Sequence, residues 1–331
     1  MTYSAGGLIQ ATDYNGFAST TAGANVNTVW STGTGDAGYG QTALSTVAAG
    51  AIVTATQWST LNNRITSIAN HQGTTITSRT NPVATNIIAI LANLNTDLTN
   101  VTTNRGNAVS SGTPSNTWTG NIAKTTDTGT GGAAWTITFT NTVTFPSADQ
   151  ARYFWNAGGL IRIDMSKSGG LYDSDPDWNT FVSTIGALYL SGRVNSSNQS
   201  IAGVTYTGFT RIGGSGTPSP NLTTSGWYTL AASTPTSVFT LTNPTSPYTG
   251  DYINVTLTKN GGSTAITVTT TWYSSARTNP GETTVITGGT DTASPYTSFG
   301  TAPAVLVRYI PPETTNLTDT WGTPTIAATV T

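Results

Sequence analysis

Cysteine is absent from this 331-residue chain, histidine occurs once, methionine twice, and only 8% of the residues are charged. Without thiols there is no disulfide framework and no cysteine-ligated metal or redox centre. A single histidine cannot supply the paired imidazoles of a histidine-based metal site. The formal net charge is −2, which gives no electrostatic footing for nucleic acid. No apolar run approaches the about 20 residues that a membrane-crossing helix needs. The opening Met1-Thr2-Tyr3-Ser4-Ala5 lacks the basic stretch and long apolar segment of a secretory signal, so synthesis in the cytoplasm is expected. So few charges leave a lone copy only moderately soluble, a difficulty that large interfaces in an assembly would relieve.

Threonine fills much of the space left by these absences. It takes 72 positions, more than one in five, beside 36 glycines. Its branched Cβ favours extended backbone and suits a half-exposed strand. Glycine, asparagine, serine and proline supply turns. Nine Trp, thirteen Tyr and eight Phe argue against disorder, because disordered chains are usually charged and poor in aromatics. The composition predicts many short strands joined by tight turns around several aromatic cores.

One phrase recurs near the N-terminus. Ile9-Gln10-Ala11-Thr12-Asp13-Tyr14-Asn15-Gly16-Phe17 is echoed by Val53-Thr54-Ala55-Thr56-Gln57-Trp58-Ser59-Thr60-Leu61. The shared frame places an aromatic and an apolar residue three apart, as one face of a helix start requires. Duplication and convergence on a capping pattern both account for it. In the second copy Thr54 and Gln57 form a capping box. Trp58, Leu61, Ile65 and Ile68 follow at helical spacing, and Gly73 closes the helix. A second helix is predicted from about Thr85 to Val101, with Ile87, Leu91, Leu94, Leu98 and Val101 spaced as a heptad seam. The two seams suit either a helical hairpin within one chain or a bundle between subunits.

Beyond residue 102 the period changes to two. Trp135, Ile137 and Phe139 alternate with threonines, with Val143 and Phe145 in phase, and Asn141 interrupts the row as a bend or strand end. Leu160–Met165, Tyr252–Thr258, Ala265–Thr269 and Val305–Ile310 read as strands. Asn260-Gly261-Gly262 is a hairpin turn, and Pro311-Pro312 stops the last strand. Asp177 is the expected cap of a helix from Trp178 to Ile185, ended by Gly186. Ser215-Gly216-Thr217-Pro218-Ser219-Pro220 marks a boundary within the β region.

Candidates for chemistry are few. His71 is the only histidine a Ser-His-Asp triad could use, and at a helix end it reads as solvated or capping carbonyls. Gly33-Thr34-Gly35-Asp36-Ala37-Gly38 matches GxGxxG but lacks the following helix of a dinucleotide fold, so it reads as a connecting loop. Asp173, Asp175 and Asp177 alternate as calcium ligands can, and equally as a solvated turn. The only glutamates, Glu282 and Glu313, mark no hydrolytic pair. The residues designate no catalytic group and no cofactor, and a non-enzymatic protein is expected.

Three segments resemble virion structural proteins of tailed bacteriophages, particularly tail-fibre, baseplate and related appendage proteins of cyanophages and other marine phages. They are Ile52–Leu61 with Asn70-His71-Gln72, then Ala151-Arg152-Tyr153-Phe154-Trp155-Asn156-Ala157-Gly158-Gly159-Leu160-Ile161-Arg162-Ile163, and Trp178–Gly186 leading into Ala187-Leu188-Tyr189-Leu190. They cover a small part of the chain, within roughly residues 50–190. Independently of the resemblance, Phe154-Trp155 supplies a buried anchor and Gly158-Gly159 permits a bend before the next strand.

The resulting expectation is a mainly β protein with a short helical segment. Residues 1–50 would be an extended virion-docking region and 51–104 a helical hairpin or bundle. A β-rich domain (105–214) and a C-terminal β-sandwich-like domain (215–331) would follow. The expected oligomer interface is Trp58, Leu61, Ile65, Ile68, Ile87, Leu91, Leu94, Leu98 and Val101. The expected partners are copies of the chain, as a homotrimer, and neighbouring virion proteins. A receptor- or glycan-binding fibre tip and a virion-associated hydrolase are the rival readings.

Overall fold

Thr54 and Gln57 cap their helix as the spacing predicts. The Gln57 amide donates to the Thr54 hydroxyl (3.2 Å), and the Thr54 amide donates to Gln57 Oε1 (2.8 Å). This helix, α3 (Ala55–Gln72), ends at Gly73 in the left-handed conformation. The echoed phrase does the same work. Asp13 accepts the Gln10 amide (2.9 Å) at the start of the short helix α1 (Ala11–Asn15). The aromatics of the first copy then pack on the second: Tyr14 and Phe17 lie 5.5 and 6.2 Å from the Trp58 ring. The computed structural model describes residues 10–20, 24–83, 93–114, 122–123, 132–193, 200–201, 204–205, 208–277, 284–286 and 302–331.

The expectation of β-sandwich-like domains with one short helical segment is overturned. Among the described residues, six α-helices are interleaved with two five-stranded open antiparallel sheets, a mixed α and β fold. After α1 and α3, with α2 (Val26–Trp30) between them, come α4 (Leu94–Thr103), α5 (Ala148–Asn156) and α6 (Asp175–Ser183). The first strands are β1 (Ile122–Ala123), β2 (Trp135–Thr144), β3 (Leu160–Ser166) and β4 (Ala187–Ser191). A small hairpin of β5 (Ser200–Ile201) and β6 (Val204–Thr205) precedes β7 (Phe209–Ile212). The last are β8 (Thr236–Thr242), β9 (Tyr252–Lys259), β10 (Ala265–Ser274), β11 (Ala304–Ile310) and β12 (Thr325–Val330). Residues 10–50 are not simply extended. They carry α1 and α2, and Asn25 caps α2 by accepting the Thr28 amide (3.1 Å).

The first sheet has the order β1-β11-β3-β4-β7 and the second β12-β2-β10-β9-β8. Chain order and sheet membership therefore cross. β2 joins the C-terminal strands, and β11 returns to the sheet of β3 and β4. β2 runs unbroken through Asn141, whose buried side chain stands opposite Val268, so the expected bend is absent. Long ladders on both flanks of β2 hold that register.

The inner faces of both sheets and most of the helices feed one aromatic core. Trp178 of α6 stacks on Trp272 of β10 (5.7 Å, 2°), and Trp135 of β2 leans on it at 5.0 Å. Phe145 meets Phe154, Trp155 and Trp227 within 5.1–6.1 Å. Phe209 and Phe239 link β7 to β8 across the two sheets. Such pairs contribute about 0.5–1.5 kcal/mol each beyond the area they bury.

Candidate functional site

The seam residues lie inside the chain. Trp58, Leu61, Ile65, Ile68, Leu94, Leu98 and Val101 are all essentially inaccessible, packed in the chain's own core, and leave no surface there for a second copy. Ile87 and Leu91 lie outside the described residues, as does Glu282. The three aspartates do not converge. Asp175 is buried against Lys167 (3.0 Å) and accepts the Tyr172 amide (2.9 Å). Asp177 accepts from Asn243, and the Asp173 carbonyl accepts the Tyr248 hydroxyl (3.3 Å). Among the described residues no three His, Cys, Asp or Glu stand together as a metal site.

His71 is neither solvated nor capping its own helix. Its ring is fully buried, edge-on to Tyr39 at 5.4 Å, and Nε2 lies 2.9 Å from the Ala157 carbonyl. A carbonyl only accepts, so Nε2 carries the proton and Nδ1 turns to the Glu313 carboxylate at 3.7 Å. Burial pushes the imidazole below its usual 6.5, against the opposing pull of Ala157 and Glu313. For Glu313, burial acts upward, but hydrogen bonds from Thr315 and the His71 contact outweigh it and hold the carboxyl below its ordinary value. The Tyr39 hydroxyl accepts from Gln72 (2.7 Å) and donates to the Arg105 carbonyl (3.1 Å), with burial raising its pKa to about 12.

Ala157 belongs to the turn at which α5 meets β3, where several segments of the chain converge. Gly158 takes φ +97°, and a Cβ there would stand 2.4 Å from the Ala108 carbonyl oxygen, so a side chain is excluded twice over. Asn156 donates to the Ala37 and Gly38 carbonyls (2.9 Å each) and accepts the Tyr228 hydroxyl (2.7 Å). Arg152, one turn earlier, donates to the Thr32 and Ala37 carbonyls (2.5 and 3.0 Å). The GxGxxG stretch is thus a folded loop whose carbonyls are read by α5. Its own Asp36 accepts both Nη2 contacts of Arg105 (3.1 and 3.2 Å) and faces Arg193 Nε at 3.7 Å. A cavity of about 250 Å³ opens here, lined by Asp36, Thr103, Arg105, Gly106, Arg193, Tyr228 and Thr229.

A second feature is a surface. Strand parity places Thr136, Thr138, Thr140, Thr142 and Thr144 of β2 on the outward face of the second sheet. Thr267, Thr269 and Thr271 of β10, Thr256 and Thr258 of β9, Thr240 and Thr242 of β8, and Thr325 and Thr329 of β12 share it. Ala265, Ala327, Ser237, Asn254, Tyr252 and Tyr273 complete the paired positions, and none is charged. Tyr252 and Tyr273 stack on one another at 4.9 Å.

Sequence reading missed the junction because Asp36, Arg105, Arg193 and Tyr228 come from four separate segments with no local signal. The threonine face was half legible as alternation in β2, β9 and β10, but only the strand order reveals it as one surface. Comparison with protein-family models, with curated proteins and with solved structures finds no match for this chain.

Proposed function

We propose that the chain is a structural protein of a tailed-phage virion, a tail-fibre, baseplate or neck-associated component that works by assembly and not by catalysis. Its partners are copies of itself, with a trimer as the expected state, and neighbouring virion proteins. The observation that carries this is the uncharged outward face of the second sheet. Globular surfaces are ordinarily about 25–35% charged, and interface cores are depleted of Lys, Glu and Asp. Five strands about 4.8 Å apart and about eight residues long present on the order of 600 Å² in projection. That approaches the about 800 Å² per partner of a stable interface. Threonine contributes a methyl to bury and a hydroxyl that pairs locally, as Thr142 and Thr267 do across β2 and β10 (3.0 Å). The resemblance of the Phe154–Gly159 turn to phage virion proteins supports the same reading.

The test is native mass measurement of the purified protein together with a charged variant, Thr140→Lys/Thr269→Lys. The expected result is an oligomer that the variant reduces to monomer with an unchanged circular dichroism spectrum. A wild type that remains monomeric, and is absent from imaged particles, would overturn the proposal. The Tyr252–Tyr273 pair favours one second reading, a neutral host glycan stacked at the end of the same face. A glycan array without a hit would remove it.

A further inference from the structure

We propose that the cavity between the Asp36 loop, the end of α4 and the Arg193 and Tyr228 turns binds a small oxyanion, a carboxylate or phosphate group held by Arg193 and Arg105. The argument starts from charge. Among the described residues, two guanidinium groups stand over a single carboxylate, Asp36, so one positive charge there is left uncompensated. Arg105 spends its Nη groups on Asp36 and on the Thr102 carbonyl (3.0 Å). Arg193 spends almost nothing. Its Nε is 3.7 Å from Asp36, too long for a hydrogen bond, and both Nε and Nη2 are buried without a partner among the described residues.

Its side chain is only 12% exposed, so water does not substitute freely. A buried cation with unmet donors is costly unless something supplies acceptors and charge. A guanidinium offers two parallel N–H groups, a geometry matched by a carboxylate or phosphate. Burial, with the neighbouring Arg105, holds the Arg193 pKa below its ordinary value against the opposing pull of Asp36, so a second anion beside it would favour the charged guanidinium.

Size restricts the ligand further. At about 250 Å³ the cavity falls below the about 300–1,000 Å³ of sites for drug-sized molecules. A phosphate group or a short acid fits this scale. Tyr228 forms part of the wall with its hydroxyl already donated to Asn156, so it adds neither a donor nor a charge, and the arginines alone are left to hold the anion. Arg193 also borders the Trp155–Gly159 turn. An anion bound there ties the Asp36 loop to the junction between α5 and the first sheet. The oxyanion has two sources, a free anion or a carboxylate on a second copy of the chain.

The test uses the full chain and inorganic phosphate. Phosphate titrated against chloride at matched ionic strength is expected to raise the melting temperature saturably and to broaden the phosphorus resonance. Arg193→Gln is expected to weaken phosphate binding by about tenfold to a hundredfold, the worth of a charge-assisted pair, with Arg193→Lys intermediate. Native mass measurement separates the sources. An R193Q protein that loses both phosphate response and self-association points to a carboxylate from a second copy, whereas unchanged association with lost response points to a free anion. If the wild type answers phosphate and chloride alike, and R193Q associates as the wild type does, the proposal is overturned. The wild-type measurement stands even where a variant fails to fold.

Discussion

The two sheets are alike in strand number and antiparallel pairing, yet their outward faces follow opposite rules. On the first sheet Asp164 accepts Arg162 from its own strand (2.8 and 2.9 Å) and Arg308 from β11 (2.6 Å). The Arg162 guanidinium also lies over Tyr189 of β4, 5.6 Å from the ring centroid. Leu160, Tyr189 and Ile310 form a small apolar cluster of their own there. That face meets its own needs, with charge tied to charge across β3 and β11 and an aromatic ring of β4 beneath one guanidinium. The outward face of the second sheet has no such ties and carries fourteen threonines among its paired positions. One surface is finished by the chain itself, while the other is neutral and regular and fits completion by something else.

Breaking what joins the sheets should have the largest effect. Trp178 sits on α6, which packs on β3 of the first sheet, while its indole stacks on Trp272 of the second. Trp178→Ala is expected to cost about 3–5 kcal/mol in denaturant unfolding, the range for large aromatic truncations in a core. Both sheets should melt together. Next in size is the contrast between the faces themselves. A single lysine on the threonine face, Thr269→Lys, should change monomer stability by no more than about 1 kcal/mol, the span of side-chain preferences at a half-buried strand position. The same change should weaken association strongly, read as a shift of the oligomer–monomer midpoint to higher concentration in sedimentation.

The contrast was only partly visible in the sequence. Capping and turn chemistry are local, so the start of α3, its stop at Gly73 and the β9–β10 hairpin could be read directly. In that hairpin Asn260 Oδ1 accepts the Thr264 and Ala265 amides (2.8 and 3.0 Å). A helix of five residues such as α2 carries too few periods to be recognised, and α5 was hidden because its Phe154-Trp155 pair reads equally well as an anchor before the next strand. α6 begins at Asp175, earlier than the expected cap at Asp177, with Pro176 in its first turn. Which sheet a strand joins is a non-local property. The boundary near residue 215 coincides with a real turn-rich stretch, yet β2 and β11 each pair with strands from its other side. Charge partners are non-local for the same reason, which is why Asp175 looked like a ligand and is paired with Lys167 instead.

The first sheet's charged face makes its own, smaller prediction. Asp164→Asn removes the carboxylate that both arginines share, while their side chains remain mostly buried. A loss of about 1–3 kcal/mol is expected, the scale of charge-assisted hydrogen bonds with a partner left behind. Arg308→Gln should cost less, because Asp164 keeps Arg162. No comparable loss follows from Asn254→Asp on the other sheet, where an exposed neighbouring hydroxyl can reorient. Unfolding midpoints for the three variants, measured side by side, would separate a tied face from an untied one.

Lowering the pH tests the same asymmetry with the least perturbation. His71 holds the turn that leads into β3 and faces Glu313, just beyond β11, so it belongs to the first sheet's side of the molecule. Its folded pKa lies below the 6.5 of the unfolded chain. The unfolded state therefore binds the proton first as pH falls, and the ring's contribution to stability declines below about 6.5 until the folded ring also titrates. Glu313, likewise lowered, acts in the same direction but in the window below 4.5. Between those ranges the histidine pulls stability down, while Asp177 and Asp251, whose carboxyls burial raises above the ordinary 3.8, act in the opposite direction because the folded state takes up their protons first. His71→Gln keeps a donor for the Ala157 carbonyl and has no titrating ring, so the wild type should lose stability relative to this variant as pH falls across that interval. A wild-type curve that runs parallel to the variant's there would mean that the ring is held by forces indifferent to its charge, and the buried contact with Ala157 would then be packing alone.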